Sequence, residues 1–371
     1  MTSPVQALKG ARSAPVQHHG IWAWSRERFW ATPLSALVSF VLLACCACLL
    51  PSLLQWSVIN AVFAPDADAC QAARGVGACW GVVAEKYRAI LFGRYPFDEQ
   101  WRPLLACALL LGLLVASCIP KFWRRSLATA WLWVSLLFFV LLGGGTWWGI
   151  PTGLAAVRSD LWGGLPLTLL LATLSIAMSF PLSIFIALGR QSQMPAVRSV
   201  CTVYVELVRG VPLISVLFMA SFMFPLLLPT GSLPDVLLRV LVGMSLFAAA
   251  YTAEIVRGGL QAIPRGQIEA AYSLGLNYWQ MQFRVVLPQA LAYVVPSLMN
   301  HFISIFKDTS LVTIVSLYEL TGALGLAISG DPNWRPFKIE AYLFITLIYF
   351  SFCFAMSRYS LWVERQISRA R

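Results

Sequence analysis

Few residues in this chain have the means to do chemistry, and most of them are charges set inside or beside long apolar runs. Lys307, Asp308, Thr309 and Ser310 stand between an apolar stretch and a segment interrupted by Glu319, Gly322 and Gly325. A cation, an anion and two hydroxyls at such a break are substrate or gate candidates, because unwound backbone and helix ends can hold a carboxylate and an ammonium group. A buried structural ion pair is the alternative reading. Glu206 with Arg209, and Glu254 with Arg257, lie three residues apart on helical stretches, so each pair can neutralise itself as a structural ion pair. A lone charge at that depth costs about 3 kcal/mol. His301 is a lone imidazole, read as a packing residue. Cys70 and Cys79 lie nine residues apart in a polar stretch. They are a possible disulfide in an oxidising compartment, or two reduced thiols.

No catalytic constellation is present. The three histidines, His18, His19 and His301, make neither a paired-His metal site nor a His-Glu-x-x-His helix, and there is no Gly-x-Ser-x-Gly elbow. None of the five lysines follows Gly or precedes Ser or Thr, so there is no phosphate loop. The chain is expected to bind no cofactor and no metal.

The elements that position these residues are membrane spans. Hydrophobic residues make up 59% of the chain and charged ones 12%, with a mean hydropathy of +0.73. Apolar runs near 34–57, 103–120, 126–145, 163–189, 201–228, 236–256, 288–306 and 339–361 each approach the ~20 residues that cross ~30 Å of hydrocarbon. Residues 311–328 read as a broken or re-entrant helix, tolerated only where protein or a water-filled path surrounds it. The expected fold is an all-α integral membrane protein of about eight transmembrane helices. Lys and Arg gather at both termini and in loops 120–126, 190–198 and 257–288, which makes these cytoplasmic. Loop 58–102 carries as many acidic as basic residues and suits the outer face. The net charge of +11 is therefore a topology signal and not a nucleic-acid footprint.

A basic tail (1–33) precedes three spans (34–145) rich in Trp and Cys, in which Cys45, Cys46, Cys48, Cys107 and Cys118 read as small apolar fillers. A core of five spans (163–362) follows, with a short tail at 363–371. Trp147, Trp148, Trp162 and Trp362 read as interface anchors. Pro181, Pro212 and Pro296 read as bends, serving either hinging or packing. Between two core spans lies an ordered polar interruption. Glu269, Ala270 and Ala271 can open a helix whose first turn favours a carboxylate. Gly275 permits the positive φ that ends it. Asn277 and Trp279 lead into a second helix, and Pro288, after Leu287, relaunches the chain into the bilayer.

That spacing, Glu269-Ala270-Ala271, Gly275, then Leu287-Pro288, resembles the EAA loop of the membrane permeases of ABC importers. Thr168–Arg190, Tyr204-Val-Glu-Leu-Val-Arg-Gly-Val-Pro212, Tyr251-Thr-Ala-Glu-Ile-Val-Arg-Gly258 and Lys307-Asp-Thr-Ser-Leu311 are similar to polar-amino-acid permeases over about 200 residues. The three added spans and the Gly77–Trp80 stretch resemble the larger permeases of general L-amino-acid importers. The resemblance implies a MetI-like type I core, with the EAA loop (257–288) as the ATPase-coupling element. It implies a second homologous permease, two ABC ATPase subunits holding ATP and Mg, and a periplasmic amino-acid-binding protein. It places the chain in a bacterial inner membrane as a transport subunit and not an enzyme, with both termini cytoplasmic. The chain would touch lipid and an amino-acid substrate. Competing readings are an ABC permease for another small solute such as an opine, a stand-alone secondary transporter, and a non-transporting scaffold.

Overall fold

The computed structural model describes residues 20–147, 149–229 and 234–369. His18, His19 and most of the basic tail lie outside them, as do Trp148 and Arg371. The chain divides into two compact units, Met1–Val62 with Asp68–Cys79, and Phe63–Ala67 with Trp80–Arg371.

In the first unit, helix α1 (Pro33–Leu54) starts at a capping box, where the Thr32 side chain accepts from the Ser35 amide and Pro33 supplies the first helical residue. One π turn extends it to Ile59. None of its side chains is buried, and its apolar surface runs all round, as lipid exposure demands. Cys45, Cys46 and Cys48 are exposed on it and do not fill an interior. Beyond it, a bond joins Cys70 to Cys79, with Cα atoms 5.4 Å apart. The Val62 amide donates to Ala78 (2.8 Å), and the Ala78 amide to Trp56 (2.7 Å). Gly77 is required there, since a Cβ would sit 1.8 Å from the Asn60 carbonyl oxygen.

The second unit holds α2 (Gly81–Phe92), α3 (Trp101–Cys118), α4 (Arg125–Gly143) and α5 (Gly164–Arg190). It continues with α6 (Pro195–Arg209), α7 (Leu213–Leu226) and α8 (Val236–Gln261). Then come α9 (Arg265–Ser273), α10 (Tyr278–Met281), α11 (Leu287–Asp308), α12 (Leu320–Ser329) and α13 (Lys338–Arg369). One apolar cluster joins Leu110, Phe138, Leu170, Leu241 and Phe306. A second, toward the other end of α5, joins Ile186, Val205, Ala253, Ala271 and Leu287. The break expected between a three-span preamble and the core does not coincide with the division of the chain. Phe138 and Leu110 are buried against α5, so α3 and α4 belong to the core's packing.

Among the described residues, six helices are long and apolar enough to cross a membrane, and seven when one bent pair counts as a span. That pair is α6 and α7, which meet at 105°. The run expected as one span over 201–228 breaks at Gly210–Pro212, because Pro212 lacks an amide donor and disfavours helix at the residue before it. Helix α11 has the length of a span at 22 residues. Asn300, His301 and Lys307 make it more polar than a lipid-facing helix, and it packs between α8 and α13. Pro181 and Pro296 are accommodated inside α5 and α11. Trp162 is buried, its indole donating to the Val157 carbonyl at 3.3 Å, and is not an interface anchor.

Arg102, placed in the outer loop by sequence, is fully buried near the start of α3. Its guanidinium donates to the carbonyls of Leu141 (2.6 Å) and Leu142 (3.4 Å), which the end of α4 leaves open, and to that of Ala155 (2.9 Å) in the segment beyond. Tyr95, in the loop between α2 and α3, donates to the same end at 2.9 Å from Leu142. Burial pushes its phenol up to about 12, which keeps it a donor.

Candidate functional site

The polar interruption folds into a compact two-helix knob. Its first helix starts four residues earlier than expected, at Arg265 behind Pro264, so Glu269 falls mid-helix and not in the opening turn. The end is a Schellman turn. Gly275 has φ 75°, its amide donates to Tyr272 (2.9 Å), and the Leu276 amide reaches Ala271 (3.2 Å). Asn277 and Gln280 then form a capping box that opens α10. A π turn, Gln282–Val286, leads without a break into α11, whose second residue, Pro288, has no amide to donate to the turn before it.

The knob has an inner and an outer side. Ala271, Met281, Val286 and Leu287 are buried in the unit's own core. Ala271 thus belongs to the inner side of the knob, unlike its neighbour Ala270. Glu269, Ala270 and Pro288 are exposed, as are Tyr272, Leu274, Tyr278, Trp279 and Phe283. Trp279 stacks on Phe283 with centroids 5.9 Å apart. An ordered patch of this kind, aromatic with a carboxylate at its edge, suits a protein partner.

Three arginines and two glutamates meet where α5, α6 and α8 come together. Arg257 and Glu254 pair at 2.5 Å. Glu206 and Arg209 do not pair with each other: Glu206 lies 3.7 Å from Arg190, and Arg209 lies 3.6 Å from Glu254. Arg190, which sequence spacing did not single out, also binds Glu254. Spacing along one helix missed this arrangement because the partners lie on three helices. His301 packs against Tyr251 at 5.8 Å, with its Nε2 3.3 Å from the Ala248 carbonyl oxygen.

Lys307 and Asp308 end α11, and Thr309 and Ser310 open a 3-10 turn that runs to Val315. Lys307 is exposed, Asp308 and Ser310 are half-buried, and Thr309 is buried, its hydroxyl donating to Phe306 at 2.8 Å. Among the described residues, Lys307 and Asp308 make no ion pair within 4.0 Å. Ser316 then turns the chain with φ 64°, the single non-glycine positive φ among the described residues. Non-glycine residues adopt that conformation at a cost.

What holds the turn is Glu319. Its carboxylate is fully buried at the start of α12. It accepts from the amides of Thr321 (2.9 Å) and Gly322 (3.0 Å). The hydroxyls of Thr313 (3.2 Å), Thr168 (3.3 Å) and Tyr349 (2.7 Å) complete the set. Five donors from α5, the 3-10 turn, α12 and α13 meet this one carboxylate and tie the four segments together. Sequence reasoning saw Glu319 only as an interruption, yet a charge in an apolar run was signal enough to weigh it as a site.

A family model described as "Binding-protein-dependent transport system inner membrane component" matches residues 179–369. Full-length similarity extends over the added N-terminal spans. An inner membrane amino-acid ABC transporter permease protein of Escherichia coli (strain K12) is 42% identical, with 96% of both chains covered. A glutamate/glutamine/aspartate/asparagine transport system permease protein of Rhodobacter capsulatus is 36% identical, again with 96% of both covered. Among solved structures, an amino acid ABC transporter with histidines matches at 30% identity and a TM-score of 0.48, over 55% of this chain and 92% of that one. The chain belongs to the binding-protein-dependent transport system inner membrane component family, and is a multi-pass, all-α transport subunit of the inner membrane.

Proposed function

We propose that this chain is one permease half of an ATP-driven importer of amino acids, working by alternating access with a second, homologous permease. Two ATPase subunits carry ATP and Mg, and a periplasmic binding protein delivers the substrate. Both termini face the cytoplasm, a topology favoured by the basic loops and by the Cys70–Cys79 bond on the opposite side. The observation that carries the reading is the knob at 265–288. Its folded inner side is continuous with α11 and the core, and its exposed aromatic side faces outward. Closure of the ATPases on ATP pushes on that side, with Glu269 meeting a basic residue, and the π turn passes the motion into α11. At the far end of α11, Lys307–Ser310 and the turn clamped by Glu319 form the gate beside the substrate path. Amino acids as cargo follow from the two full-length relatives named above.

Purification of the subunit from detergent with its associated proteins tests this reading. ATPase activity that co-purifies and rises with an amino-acid-loaded binding protein is the expected result. A lone, inert polypeptide, in a detergent shown to preserve such complexes, overturns it.

A further inference from the structure

Helix α6 has two features that the transport reading does not use. Its arginine side opens into a cleft of about 370 Å³ lined by Arg190, Arg198, Ser199, Thr202, Val203 and Arg257. Arg190 and Arg257 are partly neutralised by Glu254. Arg198 makes no ion pair within 4.0 Å among the described residues. With Arg209 included, four guanidiniums face two carboxylates, so the cluster keeps an excess of positive charge. Guanidiniums grouped with hydroxyl donors match the oxygens of a phosphate.

The second feature is an apolar stripe. Val200, Val203 and Leu207, spaced by three and four residues along one helix face, are 70%, 61% and 64% exposed. The opposite face is anchored. Val205 is buried, the Tyr204 hydroxyl donates to the Leu246 carbonyl at 2.5 Å, and Cys201 lies against Gly189. Because α6 meets α7 at 105°, it cannot cross the bilayer along with α7 and must run close to the membrane plane. An amphipathic helix in that plane sinks its apolar face to the headgroup boundary. Val203 belongs to both the stripe and the cleft, so the two are continuous.

We infer that α6 carries a binding site for an anionic phospholipid of the inner leaflet, the phosphate headgroup in the arginine cleft and the acyl chains along the valine stripe. This rests on the orientation proposed above, which puts α6 on the cytoplasmic side. Free phosphate shares the headgroup chemistry but has no use for the stripe. A helix of another subunit lying on the stripe leaves the guanidiniums unanswered. The combination of an apolar stripe and an unneutralised basic cleft selects an amphiphile with a negative head.

The test compares the full-length chain in nanodiscs of phosphatidylcholine alone and of phosphatidylcholine mixed with phosphatidylglycerol, with retained lipids counted by native mass spectrometry. The expected result is preferential retention of phosphatidylglycerol, weakened about fivefold by Arg198→Gln, the loss of one basic contact. Val203→Ser is expected to weaken it too. Equal retention of the two lipids overturns the proposal, as does indifference to Arg198→Gln. Displacement of the lipid by millimolar inorganic phosphate, with Val203→Ser having no effect, identifies a free-anion site and also overturns it. On the unaltered chain, selectivity that declines as salt rises supports the site, and selectivity independent of salt refutes it. Retention is read without transport, so a negative result here leaves the importer reading standing, and a failed ATPase assay leaves this measurement intact.

Discussion

Two residues carry most of the mechanism's geometric demands. Gly275 sits at φ 75° with nothing within 4 Å of where a Cβ would stand, so its constraint is the backbone and not space. A β-branched side chain there costs about 1–2 kcal/mol and unwinds the turn that aims Tyr278 and Trp279. Gly275→Val is expected to insert normally yet lose ATP-driven uptake in proteoliposomes, while Gly275→Asn, which tolerates a left-handed φ, keeps most of it. Normal uptake by the Val variant counts against the knob as the coupling element. Glu319 is the opposite case, a side chain whose value lies in its contacts. Glu319→Ala removes the cap of α12 and takes the acceptor from the Thr313 and Tyr349 hydroxyls, a loss of about 2 kcal/mol or more. The expected readout is a lowered unfolding temperature in detergent together with impaired uptake at unchanged ATPase docking.

At the scale of elements, a short helix from the stretch between α1 and α3 is fastened to the gate region. Lys86 on α2 pairs with Asp331, just beyond α12, at 2.8 Å. The ammonium holds the Asp331 carboxyl below the usual carboxylate range. A carboxyl depressed in the folded state contributes stability that is present above its unfolded value and is lost as pH falls through its folded value. Acidification below about pH 4 is therefore expected to weaken this tie between α2 and the end of α12, and Asp331→Asn to do so at neutral pH. Hydrogen exchange over 81–92 reads both, and protection that is the same at pH 3 and pH 7 refutes the fastening. Its failure would leave Glu319's clamp untouched, since the two act on opposite ends of α12.

At the scale of the whole molecule, two apolar clusters stack along α5 and make one membrane unit of Trp80–Arg371. The buried guanidinium of Arg102 ties α3 to the end of α4 and to the 144–157 segment. Hydrogen bonds from a charged donor are worth about 1.5–3 kcal/mol, and Arg102→Met removes three of them. A fall in unfolding temperature, with heat aggregation beginning earlier, is the expected outcome in a detergent melt. An unchanged melt assigns Arg102 no structural role.

Local composition and order were enough to determine the all-α membrane class, most span positions, and the glycine-ended knob with a second helix after it. Each of these depends on near neighbours: apolar run length against bilayer thickness, and a positive φ at Gly275. Tertiary structure alone decided which charges meet. Arg190 reaches Glu254 across 64 residues, and Glu319 gathers donors from Thr168 and Tyr349, 151 and 30 residues away. It also turned Ala271 inward and bent the run after Cys201 through a right angle. Such partners are set by how helices pack in space, and burial makes each of them obligatory, because a charge left alone in an apolar interior is too costly to keep.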